Sequence, residues 1–203
     1  MNKAFIFDRS GTLNDNFHSF CQVVDRIFLE KGKEPISPDE IRMTFTLPYM
    51  KFRNTHIPGY TKAEQDEKYN KHIHSVDPAE IYAGVFDLLH ALHAEWRKLF
   101  VVSSDNISTL LPEIHKAWLE HLFSKVIGEV HEKKESLVSL VDDFNLDTKN
   151  TYYVGDTSGD IEAWKFAWVK TIGISRWYQH KDILSRSAPD FLIDDIGEIK
   201  KII

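Results

Sequence analysis

The chain has 203 residues, of which 42% are hydrophobic and 28% charged, a balance that allows a buried core and excludes bulk disorder. Its formal net charge of −6 argues against broad contact with nucleic acid or acidic membranes, since such contact requires a basic face. The single cysteine, Cys21, cannot form an intramolecular disulfide, and no apolar stretch approaches the roughly 20 residues of a membrane helix. We therefore expect a cytoplasmic protein without a signal peptide.

Short apolar runs along the chain predict the strands of a parallel sheet. The first run, Ala4–Phe7, ends at Asp8, and Leu99–Val102 ends at Ser103. Three later runs also end at small or acidic residues, and they are Tyr152–Val154, Thr171–Ile174 and Phe191–Ile193. Segments with the apolar spacing of helices separate several of these runs. Alternating strands and helices predict right-handed βαβ units and an α/β fold with a doubly wound parallel sheet.

About 90 residues separate the first strand from the next clear strand, which is too many for a single crossover. Within them, residues 17–32 have the spacing of an amphipathic helix, and residues 37–40 have the Ser-Pro-Asp-Glu composition of a helix start. We therefore assign residues 14–79 to a small helical cap inserted after the first strand. Residues 1–13 and 80–203 form the predicted α/β core.

Three aspartates follow predicted strands and are expected to converge. Asp8 comes directly after the first strand, while Asp156 and Asp160 lie in the Gly-Asp loop after the strand at residues 152–154. The carboxyl ends of parallel strands meet at one edge of a sheet, where open α/β sheets bind their ligands. Three neighbouring carboxylates repel one another unless a cation lies between them, and a hard cation such as Mg²⁺ suits oxygen ligands. The sequence therefore predicts a magnesium site.

The chain resembles the haloacid dehalogenase-like superfamily in two motifs. One is Asp8-Arg9-Ser10-Gly11-Thr12-Leu13 after the first strand, and the other is Val154-Gly155-Asp156 with Asp160. The resemblance covers roughly residues 3–13 and 80–203, whereas the cap matches only in helical character and position. It implies a Rossmann-like core and a phosphatase that acts on a small phosphorylated metabolite. In that reaction Asp8 attacks phosphorus and forms an aspartyl-phosphate.

The resemblance also implies roles for polar residues around Asp8. Thr12 matches a residue of the first motif, and Ser103 matches the hydroxyl that binds the transferred phosphoryl group. Lys133 matches the lysine that neutralises the nucleophile and the phosphate; its spacing to the Gly-Asp loop favours it, and Lys134 is the alternative. The implied metal ligands are Asp8, the backbone carbonyl of Ser10, Asp156 and Asp160.

Ser10 departs from the family pattern, because phosphatases of this family usually have a second aspartate there. In the family that aspartate protonates the leaving group and then activates the water that hydrolyses the aspartyl-phosphate. A serine hydroxyl has no pKa near neutrality, so its presence is expected to cost a factor of about 10²–10⁴ in rate. We expect slow turnover. A catalytically impaired regulatory or phosphate-binding protein is the alternative, and the sequence does not distinguish a natural serine from an engineered one.

Two lesser alternatives come from relatives with other residues at the Ser10 position. Phosphonoacetaldehyde hydrolases use a cap lysine, and no single lysine of this cap can be identified with it. Haloacid dehalogenases lack the metal-binding Gly-Asp loop, which this sequence contains. Phosphatase chemistry therefore remains the leading hypothesis.

Two further features are assigned to the surface. Lys51, Arg53 and His56 of the cap could contact an anionic substrate, but we expect ordinary surface charges. Trp168 stands where relatives commonly have glycine, and we expect it to lie at a helix end or on the surface, without bearing on the chemistry.

Overall fold

The computed structural model describes residues 3–130, 133–175 and 178–203, with the side chains of residues 133 and 134 outside that description. Six parallel strands form its central sheet in the spatial order β5-β4-β1-β6-β7-β8. Their bounds are Ala4–Phe7 (β1), Lys98–Val102 (β4), Lys125–Ile127 (β5), Thr151–Gly155 (β6), Lys170–Ile174 (β7) and Phe191–Ile193 (β8). The predicted doubly wound α/β fold is confirmed.

The central strand β1 shows why the strands read as continuous apolar runs. It pairs with β4 on one side and β6 on the other, and all four of its residues are buried. Phe5 and Phe7 pack into the hydrophobic cluster on one face of the sheet, while Ala4 and Ile6 pack into the cluster on the other. A strand covered on both faces has no solvent side and so needs no polar alternation.

Helices cover the two faces of the sheet. On the Phe5 face lie α5 (Val85–Ala94) and α6 (Ile107–Lys116), which contribute leucine and isoleucine side chains to that cluster. On the Ile6 face lie α7 (Lys133–Asp143) and α8 (Ser158–Lys165). A short helix, α9 (Lys181–Arg186), joins β7 to β8. The helical apolar spacing between the predicted strands reflects these buried faces.

Four further helices lie between β1 and α5, in the segment that we propose as the cap (residues 14–79). They are α1 (Phe17–Glu30), α2 (Pro38–Thr44), α3 (Met50–His56) and α4 (Lys62–Ile73). They share a hydrophobic cluster of their own, rich in phenylalanine, to which the core contributes Tyr178. Ser37 caps α2 by accepting a hydrogen bond from the Glu40 amide, as its sequence predicts.

A two-stranded ribbon joins this helical segment to the core. β2 (Asn14–Asp15) pairs antiparallel with β3 (Glu80–Ile81), so the two chain crossings lie side by side. The pairing supports the proposed boundaries, because the ribbon stands at both ends of the helical segment. No helix within the described ranges has the length and apolar character needed to cross a bilayer.

Candidate active site

Asp8, Asp156 and Asp160 come together at the carboxyl edge of the sheet. Asp8 follows β1, Asp156 follows the adjacent strand β6, and Asp160 lies in the first turn of α8. All three are buried, and one carboxylate oxygen from each lies within 4.8 Å of the others. A cluster of buried carboxylate oxygens is the donor set that Mg²⁺ prefers, so these residues fit the predicted ion.

A tight turn at Gly11 brings the first motif against Asp156. The φ angle of Gly11 is +74°, and a Cβ at this position would lie 2.0 Å from Oδ2 of Asp156. The Gly11 amide donates to the carbonyl of Asn14 at 3.0 Å, and the Leu13 amide donates to the carbonyl of Arg9 at 2.8 Å. Both the positive φ and the close approach require glycine, so the turn fixes the distance between the two motifs.

Thr157 holds the Asp160 carboxylate in place. As the N-cap of α8, Thr157 accepts a hydrogen bond from the Asp160 amide at 3.3 Å. Its hydroxyl donates to Oδ2 of Asp160 at 2.6 Å, and both residues are buried. The helix start therefore orients one of the three aspartates.

Asp105 is a carboxylate in this site that the sequence reasoning missed. Its Oδ2 accepts hydrogen bonds from the Ser10 hydroxyl at 2.8 Å, from the Ser103 hydroxyl at 2.7 Å and from Arg9 at 2.9 Å. Burial raises the pKa of Asp105, but Arg9 and the two hydroxyl donors outweigh burial and hold the pKa below its usual value. The available signal was its position two residues after Ser103, at the same strand end.

Arg9 is pinned by two carboxylates from the neighbouring chain segments. Its guanidinium pairs with Asp105 and with Glu113 of α6. Burial lowers the pKa of Arg9, and the two carboxylates more than offset that effect, so its pKa lies above the usual value. The positive charge next to the candidate nucleophile is therefore already compensated within the protein.

Ser10 and Thr12, two further candidates from the sequence, have different surroundings. Ser10 also accepts a hydrogen bond from the Asn16 side chain at 2.8 Å. Thr12 is fully buried, and its hydroxyl has no hydrogen-bond partner within the described part of the chain. Lys133 begins α7, but its side chain, like that of Lys134, lies outside the described residues. Its assigned role therefore stays a prediction.

A cleft of about 750 Å³ lies between this edge of the sheet and the helical segment. On the core side it is lined by Asp8, Arg9, Ser10, Asp105, Asp156 and Asp160. On the cap side it is lined by Phe20, Leu47, Tyr49, Lys62, Gln65 and Tyr69. Its volume suits a small organic phosphate, with the aspartates at one end.

The expectation for the cap charges is wrong for Arg53. Its side chain is 1% exposed, whereas Lys51 on the same helix is exposed and His56 is half-buried. The periodicity of α3 places Arg53 beside the buried Phe52, and packing between helices covers it. Trp168, by contrast, is 85% exposed just beyond α8, as expected.

Comparison with known proteins agrees with this architecture. A family model described as haloacid dehalogenase-like hydrolase matches residues 5–174. A phosphoglycolate phosphatase from Pseudomonas fluorescens is 23% identical over 97% of this chain and 78% of its own length. Another from Aliivibrio fischeri is 26% identical over 95% of this chain and 92% of its own length. A haloacid dehalogenase-like hydrolase structure from Streptococcus pneumoniae superposes with a TM-score of 0.84 at 19% identity, covering 99% of this chain and 98% of that one.

Proposed function

Because the chain belongs to the haloacid dehalogenase-like hydrolase family, we propose that it is a magnesium-dependent phosphohydrolase that acts on a small phosphorylated metabolite. The observation that carries this proposal is the convergence of Asp8, Asp156 and Asp160 at the floor of the cleft. A bound Mg²⁺ would neutralise charge on the carboxylates and on the phosphoryl group. Asp8, the Ser10 carbonyl, Asp156 and Asp160 are its proposed ligands.

The nucleophile and the polar residues that the sequence singled out have proposed parts in the reaction. The Asp8 carboxylate attacks phosphorus, displaces the leaving alkoxide and becomes an aspartyl-phosphate. The hydroxyls of Thr12 and Ser103 orient the phosphoryl oxygens, and Lys133 compensates their charge. Hydrolysis of the aspartyl-phosphate by water then returns Asp8 to its carboxylate form.

We further propose that turnover is slow. The Ser10 hydroxyl donates to Asp105 and accepts from Asn16, so it is fixed in a hydrogen-bond network with no carboxylic acid of its own. The hydrolysis steps therefore lack the acid–base group that is worth a factor of about 10²–10⁴. A regulatory or phosphate-binding protein with the same cradle is the second candidate, and Ser10 is the feature that favours it.

The relatives suggest a class of substrate, and the composition suggests a cellular compartment. They are named for phosphoglycolate, a two-carbon phosphate ester that carries a carboxylate, and a compound of this size fits the cleft. We therefore propose phosphorylated metabolites of this kind, rather than nucleic acid or membranes, as the ligands of a protein with a net charge of −6. The single cysteine fits the reducing cytoplasm.

The test is a phosphatase assay with an aryl phosphate and a panel of metabolites, with and without Mg²⁺. Asp8→Asn keeps the shape of the side chain but removes the attacking oxygen anion, so activity should fall to background. Asp142→Asn, at an exposed position of α7, is the matched control and should retain full activity. Activity that persists in Asp8→Asn would place the nucleophile elsewhere.

A further inference from the structure

Arg53 is a buried cation that no anion among the described residues compensates. It lies on α3 with 1% of its surface exposed, and its three guanidinium nitrogens make no hydrogen bond within the described part of the chain. Its neighbours are the rings of Phe20 and Phe52, whose centroids lie 5.6 and 5.5 Å from the guanidinium carbon. Cation–π contacts offset only part of the cost of desolvating a guanidinium, so the protein retains Arg53 at an energetic cost.

Among the described residues, no carboxylate pairs with this side chain. Burial lowers the pKa of Arg53 to about 10, and the groups that act against burial are the hydroxyls of Tyr60, Tyr69 and Tyr49. Arg53 therefore stays charged at neutral pH. Asp66, the carboxylate of the cap wall, is held by Lys62 at 2.6 Å and by the Tyr49 hydroxyl at 3.1 Å.

Arg53 also lies directly behind the cap wall of the cleft. Three neighbours of Arg53 line the cleft that has Asp8 at its other end. They are Phe20, whose ring lies 5.6 Å from the guanidinium carbon, and Tyr49 and Tyr69, whose hydroxyls raise the pKa of Arg53. Within the described residues, the two long cationic side chains that line the cleft are already paired, Arg9 with Asp105 and Glu113, and Lys62 with Asp66. Among the described side chains, Arg53 is therefore a nearby cation without an ion-pair partner that could receive an anion from the cleft.

We propose that Arg53 binds a carboxylate at the non-reacting end of the substrate while the phosphoryl group is held at Asp8. The guanidinium offers five N–H donors in a planar fork that matches a carboxylate. Because Arg53 is buried behind the cap wall and does not itself line the cleft, binding a carboxylate there requires its long side chain to rotate toward the ligand. The proposal rests on the phosphatase function and narrows its substrates to phosphorylated carboxylic acids. Phosphate esters without a carboxylate lack the group that Arg53 would bind.

The kinetic test compares phosphoglycolate with ethyl phosphate, which differ only in a carboxylate that replaces a methyl group. Arg53→Met removes the charge and keeps much of the length, and the exposed Lys51→Met on the same helix is the matched control. Arg53→Met should lower the ratio of kcat/KM for phosphoglycolate to that for ethyl phosphate by about 10–100-fold, through KM, because a hydrogen-bonded charge pair is lost. Lys51→Met should leave the ratio unchanged. A ratio that is equal in the wild type and Arg53→Met overturns the proposal.

A binding test separates this proposal from the phosphatase function. Phosphonoacetate cannot be hydrolysed, and in calorimetry it should bind the wild type more tightly than ethylphosphonate does, a preference that Arg53→Met removes. If every phosphate ester proves inert while this preference is present, the hydrolase proposal fails and the carboxylate site stands. If the protein hydrolyses phosphates without any such preference, the carboxylate site fails alone.

Thermal stability distinguishes a binding role of Arg53 from a purely structural role. Replacing an uncompensated buried cation by an apolar side chain should raise the melting temperature of ligand-free Arg53→Met by a few degrees. A lower melting temperature together with an unchanged ligand preference would identify Arg53 as a packing residue and overturn the proposal.

Discussion

The two ends of the central sheet differ in their residues: buried polar side chains lie at the carboxyl edge, and exposed tryptophans with positive φ lie at the opposite edge. At the carboxyl edge the strands end in buried polar residues, among them Asp8, Ser103 and Asp156, and Asp8 and Asp156 line the cleft. At the opposite edge three helices are followed by tryptophans at positive φ, Trp96, Trp118 and Trp168, which are 79–85% exposed. Buried charge has a use at the first edge, whereas the largely exposed tryptophans at the second edge have little packing to offset their backbone strain. Changes at the first edge should alter chemistry, and changes at the second should alter only stability.

The largest expected effect is at Ser10. Ser10→Asp restores a carboxylic acid next to the nucleophile, so turnover of alkyl and aryl phosphates should rise by a factor of about 10²–10⁴. The gain should be greater for alkyl phosphates, since their poor leaving groups need the proton more. Steady-state kinetics on both ester types measures it.

A carboxylate at position 10 would lie close to Asp105, and an amide of similar shape provides the control. The new carboxylate would lie near Asp105, now 2.8 Å from the serine hydroxyl, and repulsion between two carboxylates raises the pKa of one of them, as a general acid needs. Ser10→Asn has a similar shape without an acid and should give no gain. Equal rates in Ser10→Asp and Ser10→Asn, with normal folding, would favour the regulatory alternative.

A smaller effect is expected from metal binding at the same edge. If Asp156 is a ligand, Mg²⁺ should stabilise the wild type by about 2.7 kcal/mol at one hundred times its dissociation constant. Asp156→Ala should abolish this stabilisation, as measured by the melting temperature with and without Mg²⁺. Asp142→Ala, at an exposed position on α7, should keep it. A shift that survives in Asp156→Ala would show that the ion binds elsewhere.

The two edges also show what the sequence could predict. Apolar runs and helical spacing were sufficient for the sheet and its covering helices, because each signal is local to one element. Asp105 was missed because its hydrogen bond to Ser10 joins residues 95 positions apart, which no local pattern encodes. Arg53 was misplaced because its burial depends on how α1 packs against α3, and a short polar helix does not reveal which neighbour covers it.

The smallest effect is expected at the opposite edge, where the strained tryptophans lie. Trp96 follows α5 with φ of 60°, its amide donates to the His93 carbonyl at 2.9 Å, and the Arg97 amide donates to the Leu92 carbonyl at 3.1 Å. These bonds define a helix end that normally contains glycine, since an L side chain in the left-handed region costs roughly 1–2 kcal/mol. Trp96 is 83% exposed, so its removal sacrifices little packing.

Trp96→Gly should therefore raise the free energy of unfolding by about 0.5–1 kcal/mol, because relief of strain exceeds the added chain entropy of glycine in the unfolded state. Ala91→Gly, within α5, is the matched control and should lower it by a similar amount. Urea denaturation of both variants measures the difference, and phosphatase activity should stay unchanged in each. A loss of stability in Trp96→Gly would mean that the tryptophan contacts another part of the molecule, and the contrast between the two edges would then fail.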